Sequence, residues 1–436
     1  MKFNYISFIF AIAGTLMSVS CSQEKAEPAH PEWAYDAVIY EMNVRQYTPE
    51  GTLAAAAQHL PRLKELGTDV VWLMPIYPIG VKERKGTLGS YYAISDYCDV
   101  NPEFGTLADF DAFLDEAHKE GLKVILDWVA NHTSPDAKWI DGKPLDWYER
   151  DSLGNTIVQY DWTDIAALNY DNEDMRHEMR ESMRFWLRRG IDGFRCDMAC
   201  EVPMDFWKGT IDSLRNEFGH IYMLAEGEDP QLHEAGFDAS YSWELHHMLN
   251  AIAQGRSNAD SLRNYLSRNV ERFGTDAFRL MFTSNHDENS WAGSEFERMG
   301  DAAEVMAFLT FTLPQGQPLI YTGQEVGFDH RFLFFEKDPI AGWEENDYTV
   351  MYRELCKLRH TRPALRPGKE GSVEYLDAFT DGVCVNDKVL AFKRMNAGDT
   401  LTFIANLSAG PVNAVVKSGD GEEIPCELNP WGYVMK

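Results

Sequence analysis

The sequence predicts an α/β chain: a (β/α)8 barrel with a subdomain inserted after the third strand and an antiparallel β-sheet domain at the C-terminus. Three observations carry this prediction. Eight short apolar runs recur between residues 37 and 321 with helix-period segments between them, and runs rich in Val, Ile, Leu and aromatics suit parallel strands buried on both faces. The connection after the third run extends over about forty residues, too long for a simple crossover. Beyond residue 365 apolar and polar residues alternate, which is the period of a half-buried strand.

The chain opens with Lys2 and an apolar stretch from Phe3 to Val19, too short and interrupted to span a bilayer. Residues 1–20 therefore read as a secretory signal, outside the fold. The stretch Leu16-Met17-Ser18-Val19-Ser20-Cys21 resembles a bacterial lipoprotein cleavage box. Cys21 would become a lipid-modified N-terminus and residues 21–34, rich in Glu, Ala and Pro, a tether, so the protein would be anchored to a membrane rather than spanning it. The expected location is that of an exported lipoprotein, in the outer membrane, at the periplasmic face or on the cell surface. An ordinary signal with an incidental cysteine is the alternative.

The barrel is expected over residues 35–364, with strands near 37–40, 70–74, 123–128, 193–198, 221–225, 237–241, 280–283 and 319–321. Helices fill the gaps. Leu107, Phe110, Leu114 and Ala117 share one helical face, and Gly121 stands where a C-terminal cap is expected. A second helix starts among Asp171, Glu173 and Asp174, carries Met175, Met179, Met183 and Trp186 on one stripe, and stops at Gly190. An open doubly wound sheet is the competing architecture, but the first strand lacks the Gly-rich turn of dinucleotide binding. The insertion, residues 133–171, holds Trp139, Trp147, Tyr148, Tyr160 and Trp162 and is expected to wall a cleft. Residues 365–436 form the closing sheet domain, with turns such as Asn396 to Asp399 between its strands.

With 69 acidic side chains against 40 basic ones the net charge is −29, which argues against a nucleic-acid partner because phosphate binding relies on lysine and arginine. The spacing of Cys196 and Cys200, with no second pair nearby, argues against a zinc site.

In a (β/α)8 barrel chemistry belongs at the C-terminal ends of the strands. Four strand ends carry suitable residues: Asp127-Trp-Val-Ala-Asn131-His132, Gly193-Phe-Arg195-Cys-Asp197, Ala225-Glu226-Gly227 and Thr283-Ser-Asn285-His286-Asp287. Arg195 and Asp197 are two apart on a strand and share a face. The guanidinium is expected to keep Asp197 ionised, as a nucleophile must be. Glu226 closes an apolar run, where desolvation is expected to raise its pKa and make it a general acid. That combination is what a retaining glycosidase requires. Singly, each residue has a structural alternative, such as an ion pair, a helix cap or a loop hydrogen bond; their joint occurrence in order does not.

These four segments resemble the ordered signature regions of the α-amylase superfamily, glycoside hydrolase family 13. Further similarity lies in Tyr40-Glu-Met-Asn-Val-Arg45, Leu63-Lys-Glu-Leu-Gly67, Trp72-Leu-Met-Pro75, Tyr92-Ala-Ile-Ser-Asp96-Tyr97, Asn101-Pro-Glu-Phe-Gly105 and Ile320-Tyr-Thr-Gly-Gln-Glu325. The resemblance covers residues 35–365. It implies Asp197 as nucleophile, Glu226 as acid/base and Asp287 as a third carboxylate that binds sugar hydroxyls. It also implies sugar contacts from His132, Arg195 and His286, stacking by Tyr92, and an α-glucan oligo- or polysaccharide substrate cleaved at α-1,4 bonds without an organic cofactor.

Glu201, four places after Asp197, departs from the Lys or His of many α-amylases and resembles neopullulanase and cyclomaltodextrinase relatives. Asn131 could serve a structural Ca2+, but Ala167 stands where a family ligand is often acidic, so the ion is left open. An α-1,6-cleaving or transglycosylating enzyme is the nearest alternative, and a non-catalytic glycan-binding lipoprotein the alternative of another class.

Overall fold

The computed structural model describes residues 30–368 and 371–436. The signal, Cys21 and most of the tether lie outside the described residues. Eight parallel strands close into a barrel: β1 (Ile39–Met42), β2 (Val70–Leu73), β3 (Lys123–Val129), β4 (Gly193–Asp197), β5 (Tyr222–Ala225), β6 (Ala239–Tyr241), β7 (Phe278–Met281) and β8 (Gly316–Tyr321). Each pairs with its sequence neighbours and β8 closes on β1, with Ile39 beside Leu319. The expected barrel is the observed one.

Two strands begin earlier than their apolar runs, because polar residues inside them have partners. Arg279 of β7, buried on the helix-facing side, pairs with Glu228 at 2.5 Å and lies over the Phe273 ring. Gln317 of β8 points into the barrel floor, where its amide nitrogen donates to the Ala34 carbonyl at 3.0 Å and its oxygen accepts from the Tyr222 hydroxyl. A buried polar group so satisfied carries little penalty, so apolar character alone misplaces the strand start. β1 starts two residues late because the Val38 amide is taken by the Asp69 carboxylate at 2.9 Å instead of by a neighbouring strand.

Side chains pointing inward fill the barrel as a packed core of Ile39, Val70, Trp72, Ile125, Leu224, Tyr241, Phe278 and Leu280. Helices cover the outside. The helix Leu107–Lys119 opens on a capping box between Thr106 and Asp109 and is followed by Gly121 at φ 76°. The helix Glu173–Arg189 is capped by Asn172, whose side chain accepts from the Met175 amide, and ends at Gly190 with φ 103°, a left-handed conformation that favours glycine.

The insertion after β3 pairs His132–Thr133 with Ala166–Ala167 and packs a small core in which Trp139 lies 4.9 Å from Tyr97 and 5.3 Å from Trp147. It is fastened to the loop after β2. The Asp136 carboxylate accepts from the Val81 and Lys82 amides at 2.8 and 2.9 Å, and a Cβ at Gly80 would sit 2.3 Å from that of Ser134.

The C-terminal strands are β9 (Ser372–Tyr375), β10 (Asp377–Thr380), β11 (Val383–Cys384), β12 (Val389–Asn396), β13 (Asp399–Asn406), β14 (Val412–Lys417), β15 (Glu423–Leu428) and β16 (Tyr433–Met435). They form two antiparallel four-stranded sheets, β9-β12-β13-β16 and β11-β10-β14-β15, around Ala378, Ala391, Ile404, Val416 and Ile424. Arg394 ties this domain to the barrel by donating to the Thr312 and Leu313 carbonyls at 3.1 and 3.0 Å.

Candidate active site

Alternation along the strands decides which charges meet. On β4, Arg195 and Asp197 face inward while Phe194 and Cys196 face the helices. Register places Asp127 of β3 directly beside Arg195, and the same alternation turns Glu41 of β1 and Trp72 of β2 inward.

Arg195 is the hub. Its Nη1 lies 2.8 Å from Asp127 Oδ1 and 3.0 Å from Asp197 Oδ1, its Nη2 lies 3.0 Å from Glu226 Oε2, and its Nε donates to the Tyr241 hydroxyl at 3.2 Å. The guanidinium also sits over the Trp72 ring, 5.1 Å from its centroid. Fully buried, one cation thus serves three carboxylates, a cluster that would lose heavily if the cation were removed.

A cavity of 610 Å³ opens above this hub, lined by Tyr92, His132, Asp197, Glu226, His286 and Asp287 among others. These six residues, drawn from four strand ends and the loop after β2, meet in one cavity. Arg195 and Asn131 are not on the cavity wall. Arg195 lies beneath Asp197, its Nη1 and Nε hydrogen-bonded to Asp127, Asp197 and Tyr241 and its Nη2 in ion-pair range of Glu226, whereas the sequence leads one to expect it in contact with sugar.

The electrostatics reverse one expectation. Burial would raise Glu226, but Arg195 and the Met198 amide, which donates to Glu226 Oε2 at 2.8 Å, outweigh it and hold the carboxyl below its usual range. Asp197 is pushed well up, by burial and then by the Glu226 charge, against the pull of Arg195. The two carboxyl groups are electrostatically linked, the Glu226 charge pushing Asp197 up while Arg195 holds Glu226 down. The apolar run before Glu226 predicts a raised pKa because it gives no sign that Arg195 reaches that residue.

Asp287 is also raised, by burial above all, with His286 opposing. His286 itself is cationic: burial disfavours its charge, but Asp287 and Glu41 prevail and push it up to about 9. Its Nδ1 donates to Glu41 Oε1 at 2.5 Å and its Nε2 meets the Tyr92 hydroxyl at 2.7 Å, while that hydroxyl donates to Asp127 Oδ2 at 3.0 Å. The Tyr92 ring stacks on His286 with centroids 5.3 Å apart. His132 is the opposite case, lowered by burial to about 4 and therefore neutral; its buried Nε2 has no hydrogen-bond partner among the described residues, and the residue lines the cavity, where a sugar hydroxyl can supply one.

Met198, directly after Asp197, takes a left-handed conformation at φ 44°, strained for a side chain of this size. This turn aims its amide at Glu226.

Asn131 engages its amide nitrogen within the protein. Its Nδ2 donates to Gln159 Oε1 at 2.5 Å and lies 3.1 Å from His132 Nδ1. Ala167 offers a methyl where a ligand is needed, and among the described residues no three His, Cys, Asp or Glu side chains converge as metal ligands. Hard cations require six or more oxygens.

Glu41 and Asp127 stand within motifs that the sequence reading singled out but carry no role in it. The signal was present: a lone carboxylate two places from an inward apolar residue, Ile39 or Ile125, must itself face inward. Trp291, Phe334, Phe335, Lys85 and Asp164 also line the cavity and come from loops whose meeting no local pattern reveals.

A family model described as "Alpha amylase, catalytic domain" matches residues 32–151 and 146–354. The chain is 30% identical over 410 residues to an α-amylase of Haloarcula japonica, covering 90% of this chain and 59% of that protein, so it spans less than two thirds of that relative's length. It is 32% identical over 408 residues to an oligo-1,6-glucosidase of Bacillus cereus, covering 75% of this chain and 71% of that one. A crystal structure of an α-amylase from Lactobacillus plantarum superposes with a TM-score of 0.80 at 30% identity, covering 92% of this chain and 98% of the other. Sequence match, barrel and carboxylate cluster agree: the chain belongs to the α-amylase catalytic-domain family, glycoside hydrolase family 13.

Proposed function

We propose that the protein is a retaining glycoside hydrolase acting on α-linked glucose oligo- or polysaccharides, with Asp197 as nucleophile and Glu226 as acid/base. The observation that carries this reading is the pair itself: two carboxyl groups bridged by Arg195 at the base of an open cavity. The reaction needs one carboxyl ionised as nucleophile and the other protonated as acid. An anomeric carbon gaining positive charge against Asp197 favours the ionised form of that residue and leaves the proton to Glu226.

Glu226 then protonates the glycosidic oxygen as Asp197 Oδ attacks the anomeric carbon. The C–O bond to the leaving sugar breaks, its alcohol departs, and a glycosyl ester on Asp197 remains. Glu226, now ionised, removes a proton from water. The water oxygen displaces Asp197 and gives a product with the starting α configuration. Asp287, beside the cationic His286, is placed to accept from sugar hydroxyls, and Tyr92 offers its ring face.

Bond preference is read here as α-1,4, with α-1,6 bonds as the second substrate, since the relatives include both an α-amylase and an oligo-1,6-glucosidase. Product chromatography from maltoheptaose and from pullulan tests this. Shorter maltooligosaccharides from the first support the α-1,4 reading, and turnover confined to α-1,6 bonds overturns it. The pattern ending in Cys21 supports a further proposal, that the protein works from a lipid anchor on an exported surface. Detergent-phase partitioning that a Cys21→Ser variant loses supports the anchor, and unchanged partitioning overturns it.

A further inference from the structure

One large aromatic side chain at the cavity is left in water. Trp291 is 58% exposed, although tryptophan is among the residues most costly to leave so. It lies in a wide π-type turn, Glu288–Ala292, that begins directly after Asp287. Its ring is 5.3 Å from Phe334 and 5.8 Å from Phe335. Phe334 in turn lies nearly parallel to Tyr92, 6.4 Å away at 15°. All four rings line the cavity that holds the carboxylates, so an aromatic wall runs from the cleavage position to the open rim.

This wall is built rather than incidental. Asn289 ties the π-type turn to the loop after β8, donating to the His330 carbonyl and accepting from the Phe332 amide, both at 2.9 Å. The Phe334–Phe335 segment is fixed in turn to the loop after β2, where the Leu88 amide donates to the Phe335 carbonyl at 3.0 Å, and to the short helix after β1, where Arg45 Nη1 donates to the Phe334 carbonyl at 3.3 Å. Three separate loops are thus clamped to hold one indole face in the solvent. An exposed indole on a fixed backbone loses little entropy on binding a ligand.

Topology says which part of the substrate lies there. On the proposed reaction Glu226, at the end of β5, protonates the leaving oxygen, which assigns the leaving sugar to the β4–β5 side of the cavity. Trp291, Phe334 and Tyr92 follow β7, β8 and β2, the opposite sector of the rim. The wall therefore lies on the side of the chain that stays with Asp197.

We propose that Trp291, backed by Phe334 and Phe335, is a stacking platform for the glucose unit next to the cleaved one on its non-reducing side. Pyranose rings expose flat apolar C–H faces, which an aromatic wall can cover while the polar edges stay in water. This inference rests on the proposed glucan substrate and assigns the residue that makes the enzyme prefer a longer donor.

The test compares para-nitrophenyl α-glucoside, which fills only the cleavage position, with para-nitrophenyl α-maltoside, which adds one unit on the platform side. In Trp291→Ala the ratio of kcat/KM for maltoside over glucoside should fall about tenfold, the scale of losing one well-packed aromatic contact, while Trp291→Phe recovers part of it. An unchanged ratio overturns the platform. Calorimetric titration of Glu226→Gln with maltotriose gives an answer independent of turnover. A similar loss of affinity when Trp291→Ala is added supports the platform even if the proposed reaction fails, and equal affinity overturns it even if that reaction stands.

Discussion

Glu41, buried on the first strand, accepts a hydrogen bond from His286 Nδ1 at 2.5 Å and so keeps a cation in the wall of the cavity. The imidazolium then reaches the Tyr92 hydroxyl, and Tyr92 reaches Asp127 and the Arg195 hub. The substrate-facing ring and the carboxylates around Arg195 are therefore held by one continuous polar network.

That network gives a pH prediction. Because the folded-state pKa of His286 is raised to about 9, its charge and the stability it contributes are fully present below about pH 6.5 and are lost as pH rises through about 9. Replacing Glu41 with Gln removes one of the two anions that hold the charge. The alkaline limb of kcat/KM should then move to lower pH, and a limb that stays in place contradicts the network.

Arg195 should be indispensable to the fold as well as to the reaction. Arg195→Met leaves Asp127, Asp197 and Glu226 buried without a cation, with an expected loss of about 3–5 kcal/mol. The sign of its pH dependence follows from the carboxyls. Without Arg195 nothing offsets burial, so the folded pKa values of Asp127 and Asp197 rise further and that of Glu226 rises from its lowered position; the variant is least impaired in acid and loses stability as pH rises. Thermal melts should show the gap to the parent widening from about pH 5 to about pH 8. A constant gap is the contrary outcome.

Gly193 opens β4 because nothing larger fits there. A Cβ at that position would sit 1.9 Å from the Tyr222 carbonyl oxygen of the adjacent strand. Gly193→Ala must push β4 from β5, beneath Arg195, at an expected cost above about 3 kcal/mol. Urea denaturation measures it, and a loss below about 1 kcal/mol speaks against the close approach.

The donors around Asn131 predict indifference to calcium. Melting temperature and turnover should be the same after dialysis against a chelator and after Ca2+ is restored. A fall on chelation that Ca2+ reverses contradicts the reading of that site.

The barrel was legible because each strand is buried on both faces and its apolar run stands out between amphipathic helices. Asp197 and Glu226 were legible because strand alternation and strand ends can be read residue by residue. The direction in which Glu226 shifts was not. It depends on Arg195 Nη2 reaching Glu226 across β4 and β5 and on the left-handed turn at Met198, and neither leaves a local mark in the sequence. Burial of Arg195 was hidden likewise, since a motif shows that a guanidinium is near a carboxylate but not how many carboxylates it serves. Trp291, Phe334 and Phe335 became neighbours only through barrel closure, which brings the loops after β7, β8 and β2 to one sector of the rim.

The central claim is that Asp197 forms the glycosyl ester. Incubation with a fluoroglucosyl fluoride whose ester intermediate hydrolyses slowly, followed by proteolysis and mass spectrometry, reads that bond directly. The account predicts one added fluoroglucosyl group, on the peptide and residue carrying Asp197, and none in Asp197→Asn. A label on another carboxylate, or turnover to a β-configured product with no label, would contradict it.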